Sequence, residues 1–173
     1  MSRLFGPIRQ LGFVVRDIEE AMLHWSEKCG VGPWFYTERF VFKSFFYDGQ
    51  RHDDLNISVA MANSGDMQIE LVQQRCETPS MYRDFLEASG EGLQHWAAWP
   101  DNYDDAYAKA LASGYVVGQE GALPRGRFVY FKSRGHPGTV FEFNEITPMR
   151  QTIIQQIRDA AATWDGKDPI RRA

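Results

Sequence analysis

The sequence predicts an α+β fold built from two copies of one unit, each running strand, helix and three strands, with a linker helix between them and a C-terminal helix after them. Three observations carry this reading. The order of patterned segments in residues 7–75 recurs in residues 91–147. The first strand of each copy holds a metal-ligand type and the last holds a glutamate: Gln10 and Glu70 in the first copy, His95 and Glu142 in the second. Gln10 and His95 each lie two residues before a small residue on the same strand face, Gly12 and Ala97, which leaves space above a site.

The elements follow in order. Residues 7–15 alternate, with Leu11, Phe13 and Val15 on one face and Ile8, Gln10, Gly12 and Val14 on the other, which is strand periodicity. A helix follows, capped by Asp17, with Glu19 and Glu20 in its first turn and Ile18, Met22 and Trp25 at helical spacing until Cys29-Gly30 ends it. Residues 32–36 turn back as extended chain. Residues 39–48 and 55–62 read as strands around a polar turn, and 66–73 as the last strand of the copy. The second copy reads as a strand over 92–99, a helix over 103–112 ending at Ser113-Gly114, and extended segments near 115–119, 127–132 and 139–145.

Between the copies, residues 78–89 read as a linker helix opened by Pro79, with Met81, Phe85 and Leu86 as its apolar stripe. After Pro148, the stripe Ile153, Ile154, Ile157, Ala161 and Trp164 marks a helix expected to pack on the outside or on a partner subunit, with 165–173 as a loose tail. This gives one domain over 1–147, with modules 7–75 and 91–147 flanking the linker 78–89, and a C-terminal helix and tail over 148–173.

Bulk properties narrow the function classes. A chain of 173 residues buries enough surface to fold without disulfides. Its net charge of −4 with scattered basic residues gives no electrostatic footprint for nucleic acid. Cys29 and Cys76 form no CxxC pair, and no 18-residue apolar run or signal pattern is present, so the expectation is a soluble protein of a reducing compartment, cytoplasmic and away from membranes. The 12 Phe, 7 Tyr and 5 Trp suffice to line an apolar pocket as well as a core.

Strand alternation decides which residues share a face. Met67, Ile69 and Leu71 oppose Gln68, Glu70 and Val72, and Phe141 and Phe143 oppose Val140, Glu142 and Asn144, so each glutamate faces away from the strongly apolar side. If the two copies curl around one concave face, Gln10, Glu70, His95 and Glu142 converge there. One imidazole nitrogen, one amide oxygen and two carboxylates suit zinc, nickel, cobalt, iron(II) or manganese and leave positions for water or substrate. Such an ion polarises a substrate carbonyl while a neighbouring carboxylate moves the proton of the adjacent carbon. The other histidines carry less: His24 reads as structural, His52 as an exposed turn residue and His136 as a turn residue before the Glu142 strand. Arg125, Arg127, Lys132 and Arg134 read chiefly as a solvated loop face, with the capacity to hold a substrate carboxylate or phosphate.

At these residues the chain resembles the vicinal oxygen chelate superfamily of glyoxalases, methylmalonyl-CoA epimerases, extradiol dioxygenases and bleomycin-resistance proteins. The resemblance covers residues 7–147 and rests on residues 8–17 with the helix after them, Gln68-Ile69-Glu70-Leu71, Gly90-Glu91-Gly92-Leu93-Gln94-His95 and Val140-Phe141-Glu142-Phe143. It implies two βαβββ modules forming an open, cupped eight-stranded mixed sheet around a divalent metal, with Gln10, Glu70, His95 and Glu142 as ligands, and a homodimer. Local sequence is most similar to the epimerases, but Gln10 replaces their first histidine, as in some zinc glyoxalases, and residues 55–60 lack their second catalytic carboxylate. The same glutamine departs from the two-histidine, one-glutamate set of the dioxygenases.

The resemblance therefore implies a metal-dependent lyase or isomerase, glyoxalase- or epimerase-like, that moves a proton next to a metal-bound carbonyl or thioester, with Glu142 the first candidate for proton transfer and Glu70 the second. The alternative is a non-catalytic protein of the bleomycin-resistance kind, holding an aromatic or apolar small molecule against a wall of Trp34, Phe35, Tyr36, Trp96 and Trp99.

Overall fold

The computed structural model describes residues 4–132 and 140–172. Its elements run β1 (Ile8–Val14), α1 (Ile18–Cys29), β2 (Trp34–Thr37), β3 (Ser44–Tyr47), β4 (Gln50–Arg51), β5 (Ile57–Ser64), β6 (Met67–Gln74), α2 (Met81–Ser89), β7 (Gly92–Ala98), α3 (Tyr103–Ala112), β8 (Val116–Leu123), β9 (Gly126–Lys132), β10 (Val140–Asn144), α4 (Pro148–Ala162) and β11 (Ile170–Arg172). All strands belong to one open mixed sheet, ordered β11-β2-β5-β6-β1-β7-β10-β9-β8-β3-β4. Seven of the eleven, β1, β5, β6 and β7 to β10, are expected strands of the two halves; β2 takes the place in the first half expected for residues 39–48, and β3, β4 and β11 extend the edges.

Local chemistry sets the ends of the helices. The Asp17 carboxylate accepts from the Glu20 backbone N–H at 2.9 Å, and Gly30 closes α1 in the left-handed region at φ 66°. Ser80, the residue after Pro79, caps α2, so that helix opens at Met81 rather than at residue 78, and Asn102 caps α3. Ile18 and Met22 of α1 pack with Ile69 and Leu71 of β6, and α3 packs Ala106 and Ala110 near Phe141 and Phe143 of β10. Burying each such aliphatic side chain contributes about 1.5–3 kcal/mol. The two helices thus cover the outer face of the two halves, on the side the alternation assigns to them.

The two halves repeat in register. β1 runs parallel to β6 with Gly12 opposite Glu70, and β7 runs parallel to β10 with Ala97 opposite Glu142. β1 and β7 join antiparallel across an approximate twofold relation that pairs Gly12 with His95 and Gln10 with Ala97. A third apolar cluster unites the inner faces of both halves: Val14, Ile57, Val59, Met61 and Val72 from one, Leu123, Phe128 and Tyr130 from the other. The sheet is therefore curved into a cup.

Three segments depart from expectation. Residues 39–43 are not a strand. Phe40 and Phe42 pack toward the cup instead, and only Ser44–Tyr47 is extended, pairing with β8 of the other half. The helix α4 does not lie outside: Ile157 is buried in the inner cluster, with Ile153 packed against it, and α4 packs against β5. The tail is not loose either. β11 pairs parallel with β2, the Trp34 N–H donates to the Pro169 carbonyl at 2.7 Å, and the Trp164 ring fills the space beside Gly32, where a Cβ would come within 2.8 Å of it. Backbone pairing and the half-buried Trp164 ring outweigh the polar composition of the segment. No described helix is long and apolar enough to cross a membrane.

Candidate metal centre

Glu70 on β6, His95 on β7 and Glu142 on β10 meet at the floor of the cup, with one ligand atom from each lying within 4.8 Å of the others. Their side chains are buried. The His95 Nε2 lies 3.5 Å from Glu70 Oε2 and 3.6 Å from Glu142 Oε2, too far for a good hydrogen bond to either. The ring owes its position to Gly12: a Cβ there would come within 1.8 Å of the imidazole Cε1. Tyr130 braces it edge-on, with ring centroids 4.8 Å apart.

The orientation of the ring is held at its other nitrogen. Gln94 donates its amide N–H to the Met81 carbonyl at 3.0 Å, which fixes the amide oxygen as the group facing His95 Nδ1 at 2.7 Å. Nδ1 then carries a proton and donates it, so Nε2 is the nitrogen that faces the two carboxylates and can turn a lone pair to a cation. Gln94 can reach the ring because β7 bulges there: Gly12 pairs with His95 while Phe13 pairs with Leu93, so Gln94 is the extra residue.

The fourth expected residue, Gln10, is buried on β1 and donates its amide N–H to Gln68 Oε1 at 2.9 Å. Its own Oε1 is left buried without a partner, as are His95 Nε2 and Glu142 Oε2. Buried polar atoms are rarely orphaned, and three acceptors left so on neighbouring strands fit a divalent cation better than any protein donor in the cup. Gln10 and Glu70 line one small cavity with Gln68, Trp99, Arg125 and Arg150. Glu70 and Glu142 line a second, mostly apolar one with Phe40, Phe42, Val72, Tyr82 and Tyr130. Each holds about 30 Å³, enough for water or an ion.

Burial pushes the Glu142 carboxyl up to about 7; His95 counteracts this and Glu70 adds to it. Burial likewise raises the hydroxyls of Tyr82 and Tyr130, which hydrogen-bond to each other at 3.1 Å. Both stay protonated donors at neutral pH.

The remaining expected residues separate. His24 is exposed on α1, His52 is half-buried rather than exposed, and His136 and Arg134 lie outside the described residues. Arg127 is tied to Asp104 and Glu145, and Lys132 to Asp48, so both serve surface ion pairs. Arg125 alone of the described cluster turns into the cup. The proposed aromatic wall does not form: Trp34 and Tyr36 pack on the α1 side and Trp96 stacks on Phe141 on the α3 side, leaving Phe35 and Trp99 on the inner face. The rings that line the cup are Phe40, Phe42, Tyr82, Phe128 and Tyr130. Gln94, Gln68, Arg125 and Arg150 complete the site; the glutamine beside His95 was visible in the sequence, but alternation assigns it to the opposite face.

Two βαβββ halves around a buried Glu-His-Glu floor define a class of protein, and the comparisons agree. The chain belongs to the Glyoxalase/Bleomycin resistance protein/Dioxygenase superfamily, whose family model matches residues 9–131. Among solved structures it is similar to methylmalonyl-CoA epimerase from Mycobacterium tuberculosis, with 16% identity, a TM-score of 0.61, and 88% of this chain and 95% of that one covered. It is also similar to a hypothetical protein from Bacillus halodurans, at 16% identity and TM-score 0.61 over 82% and 94% of the two chains. A Streptomyces coelicolor methylmalonyl-CoA epimerase variant in complex with 2-nitronate-propionyl-CoA follows at 15% identity, TM-score 0.52, and 83% and 99% coverage. These likenesses establish a shared fold. No protein of curated function matches the sequence.

Proposed function

We propose that the protein is a divalent-metal-dependent isomerase or lyase that moves a proton on the carbon beside a carbonyl or thioester. The observation that carries this reading is the buried His95 Nε2, without a hydrogen-bond partner, facing two buried carboxylates, so that one cation can gather all three groups. Gln10, Glu70, His95 and Glu142 would hold the ion. When bound, it supplies Lewis-acid polarisation of a substrate oxygen.

The chain's own groups account for the rest. Glu142, held near neutrality by burial, is suited to take and return a proton at pH 7. Glu70 stands on the opposite side of the floor, and these two are the only carboxylates lining the described cup cavities. The inner face of β5 offers Ile57, Val59 and Met61 and no further acid. A single carboxylate pair therefore has to serve both directions of transfer. Tyr82 and Tyr130, protonated and buried beside Glu142, are placed to hold an oxygen by donation, and the surrounding rings exclude water. Each cavity is too small for an organic substrate, so entry requires the 38–43 segment or α4 to shift.

The test is metal content by mass spectrometry on untagged protein purified without chelator, followed by solvent deuterium exchange into candidate carbonyl and thioester compounds. Near-stoichiometric metal that falls in Glu142→Ala is expected. Glu142→Gln should retain the fold and lose exchange. No metal after reconstitution, or full exchange in Glu142→Gln, would overturn the reading.

A further inference from the structure

Two cations line the cup beside its two carboxylates. Arg125 sits in the two-residue turn between β8 and β9, where Leu123 pairs with Gly126, and it lines both small cavities together with Glu70 and Asn144. Its guanidinium rests on the Phe40 ring, 4.5 Å from the centroid, and its buried Nε has no hydrogen-bond partner. Arg150 of α4 is buried in the wall of the first cavity and donates to the Arg127 and Glu145 carbonyls at 3.1 Å. Neither has a carboxylate within ion-pair distance among the described residues, whereas Arg51, Arg75, Arg83, Arg127, Arg158 and Arg172 each do.

The charge count points one way. A divalent ion would cancel Glu70 and Glu142, and the two guanidiniums then leave the cup with a positive surplus that no described protein group neutralises. Holding such charge beside a metal costs free energy unless an anion arrives with the substrate. Of the two, Arg150 is committed to backbone carbonyls, while Arg125 presents an unused edge at the junction of the polar and apolar cavities. A guanidinium fork matches a carboxylate in plane and spacing.

We propose that Arg125 is the carboxylate-binding residue of the site, and that the substrate is a carbonyl acid: a carboxylate on Arg125, a carbonyl directed at the Glu70–His95–Glu142 floor, and an apolar substituent among Phe40, Phe42, Ile57 and Val59. This rests on the metal-site reading for the carbonyl and for the charge surplus, whereas the unpartnered Arg125 Nε at the junction of the two cavities stands without it. Phe40 belongs to one of the two segments whose shift would admit a substrate, so the surface on which Arg125 lies is tied to entry.

The probe is a matched pair, 2-oxo-4-phenylbutanoate and its methyl ester, titrated calorimetrically into the full chain, both zinc-loaded and chelator-treated. The acid should bind the zinc-loaded protein more tightly than the ester by about tenfold or more, the scale of a hydrogen-bonded charge pair. In Arg125→Gln the ratio should fall close to one with the ester's affinity and the circular dichroism unchanged; Arg125→Lys, with charge but no fork, should keep part of it. Failure of the acid to bind, or an acid preference that survives in Arg125→Gln, overturns the assignment, the latter because chelation by the ion alone would then explain it. Zinc content of the same samples separates the two readings. Zinc held without acid preference defeats this proposal alone, and an Arg125-dependent preference in protein that holds no zinc defeats the metal reading alone.

Discussion

The first strands of the two halves bulge at equivalent points, and they use the extra residue differently. In β7 the bulge residue is Gln94, which grips His95 Nδ1 and holds the ring's orientation. In β1 it is Arg9, skipped between Ile8 and Gln10 in the pairing with β7, and Gln10 is steadied instead from the neighbouring strand by Gln68. The small residues opposite differ as well. Gly12 lies under the imidazole with no room for a Cβ, while Ala97, opposite Gln10, carries one. A duplicated backbone thus keeps the register of a site while its side chains diverge: the second half supplies an imidazole nitrogen wedged over a glycine and held from its own strand, and the first an amide held from the neighbouring strand.

Breaking the imidazole half should have the largest effect. Gly12→Ala drives a methyl into the His95 ring, and overpacking of this kind costs about 1–3 kcal/mol. We expect a melting temperature lower by several degrees and loss of bound metal, read by calorimetry and mass spectrometry. An unchanged metal content in a folded Gly12→Ala protein would mean that His95 is not a ligand.

The two supporting glutamines give the next contrast. Removing a hydrogen-bond partner of a metal-binding imidazole typically costs about 10–100-fold in metal affinity. Gln94→Leu should fall in that range in a competitive chelator titration, whereas Gln68→Leu, which frees an amide with other rotamers to use, should fall below it. Equal losses would erase the distinction between the halves.

Much of this was legible in the sequence because it depends on local periodicity. Alternation in residues 8–15, 67–72 and 140–144 assigns Glu70 and Glu142 to the inner face, and Asp17 and Gly30 bound α1 as read. What was not legible depends on partners far along the chain. Residues 39–48 alternate like a strand, yet the edge that accepts them is β8 of the other half, which takes only Ser44–Tyr47. The stripe of α4 identifies a helix but not the cup wall where it docks. Alternation alone would put Gln94 on the face away from His95, and a bulge set by cross-strand register turns it back. For Arg125, sequence shows a cluster of cations; only the positions of Asp48, Asp104 and Glu145 reveal which of them is left unpaired.

The carboxylate of the second half should also give the protein a response to pH. Burial raises the Glu142 carboxyl to about 7 against an ordinary value near 4.5, so the folded metal-free protein holds that proton more tightly than the unfolded chain does. Its contribution to stability is therefore full below about 4.5 and is lost as pH rises through about 7. Thermal melts of chelator-treated protein from pH 5 to 8 should show this falling component, and Glu142→Gln should lack it. Because the ion requires the ionised carboxylate, the stabilisation conferred by saturating zinc should grow over the same window.

The smallest effect is expected at the mirror position of the largest. Ala97→Gly removes a methyl opposite Gln10 and loosens one strand residue, which costs about 0.5–1 kcal/mol through backbone entropy. The amide does not need the space that an imidazole needs, so metal affinity should change by less than a factor of about two, well under the 1.4 kcal/mol of a tenfold step. If Ala97→Gly instead altered metal binding as strongly as Gly12→Ala, both small residues would be spacers for their facing ligands, and the two halves would be functionally equivalent despite carrying different ligands.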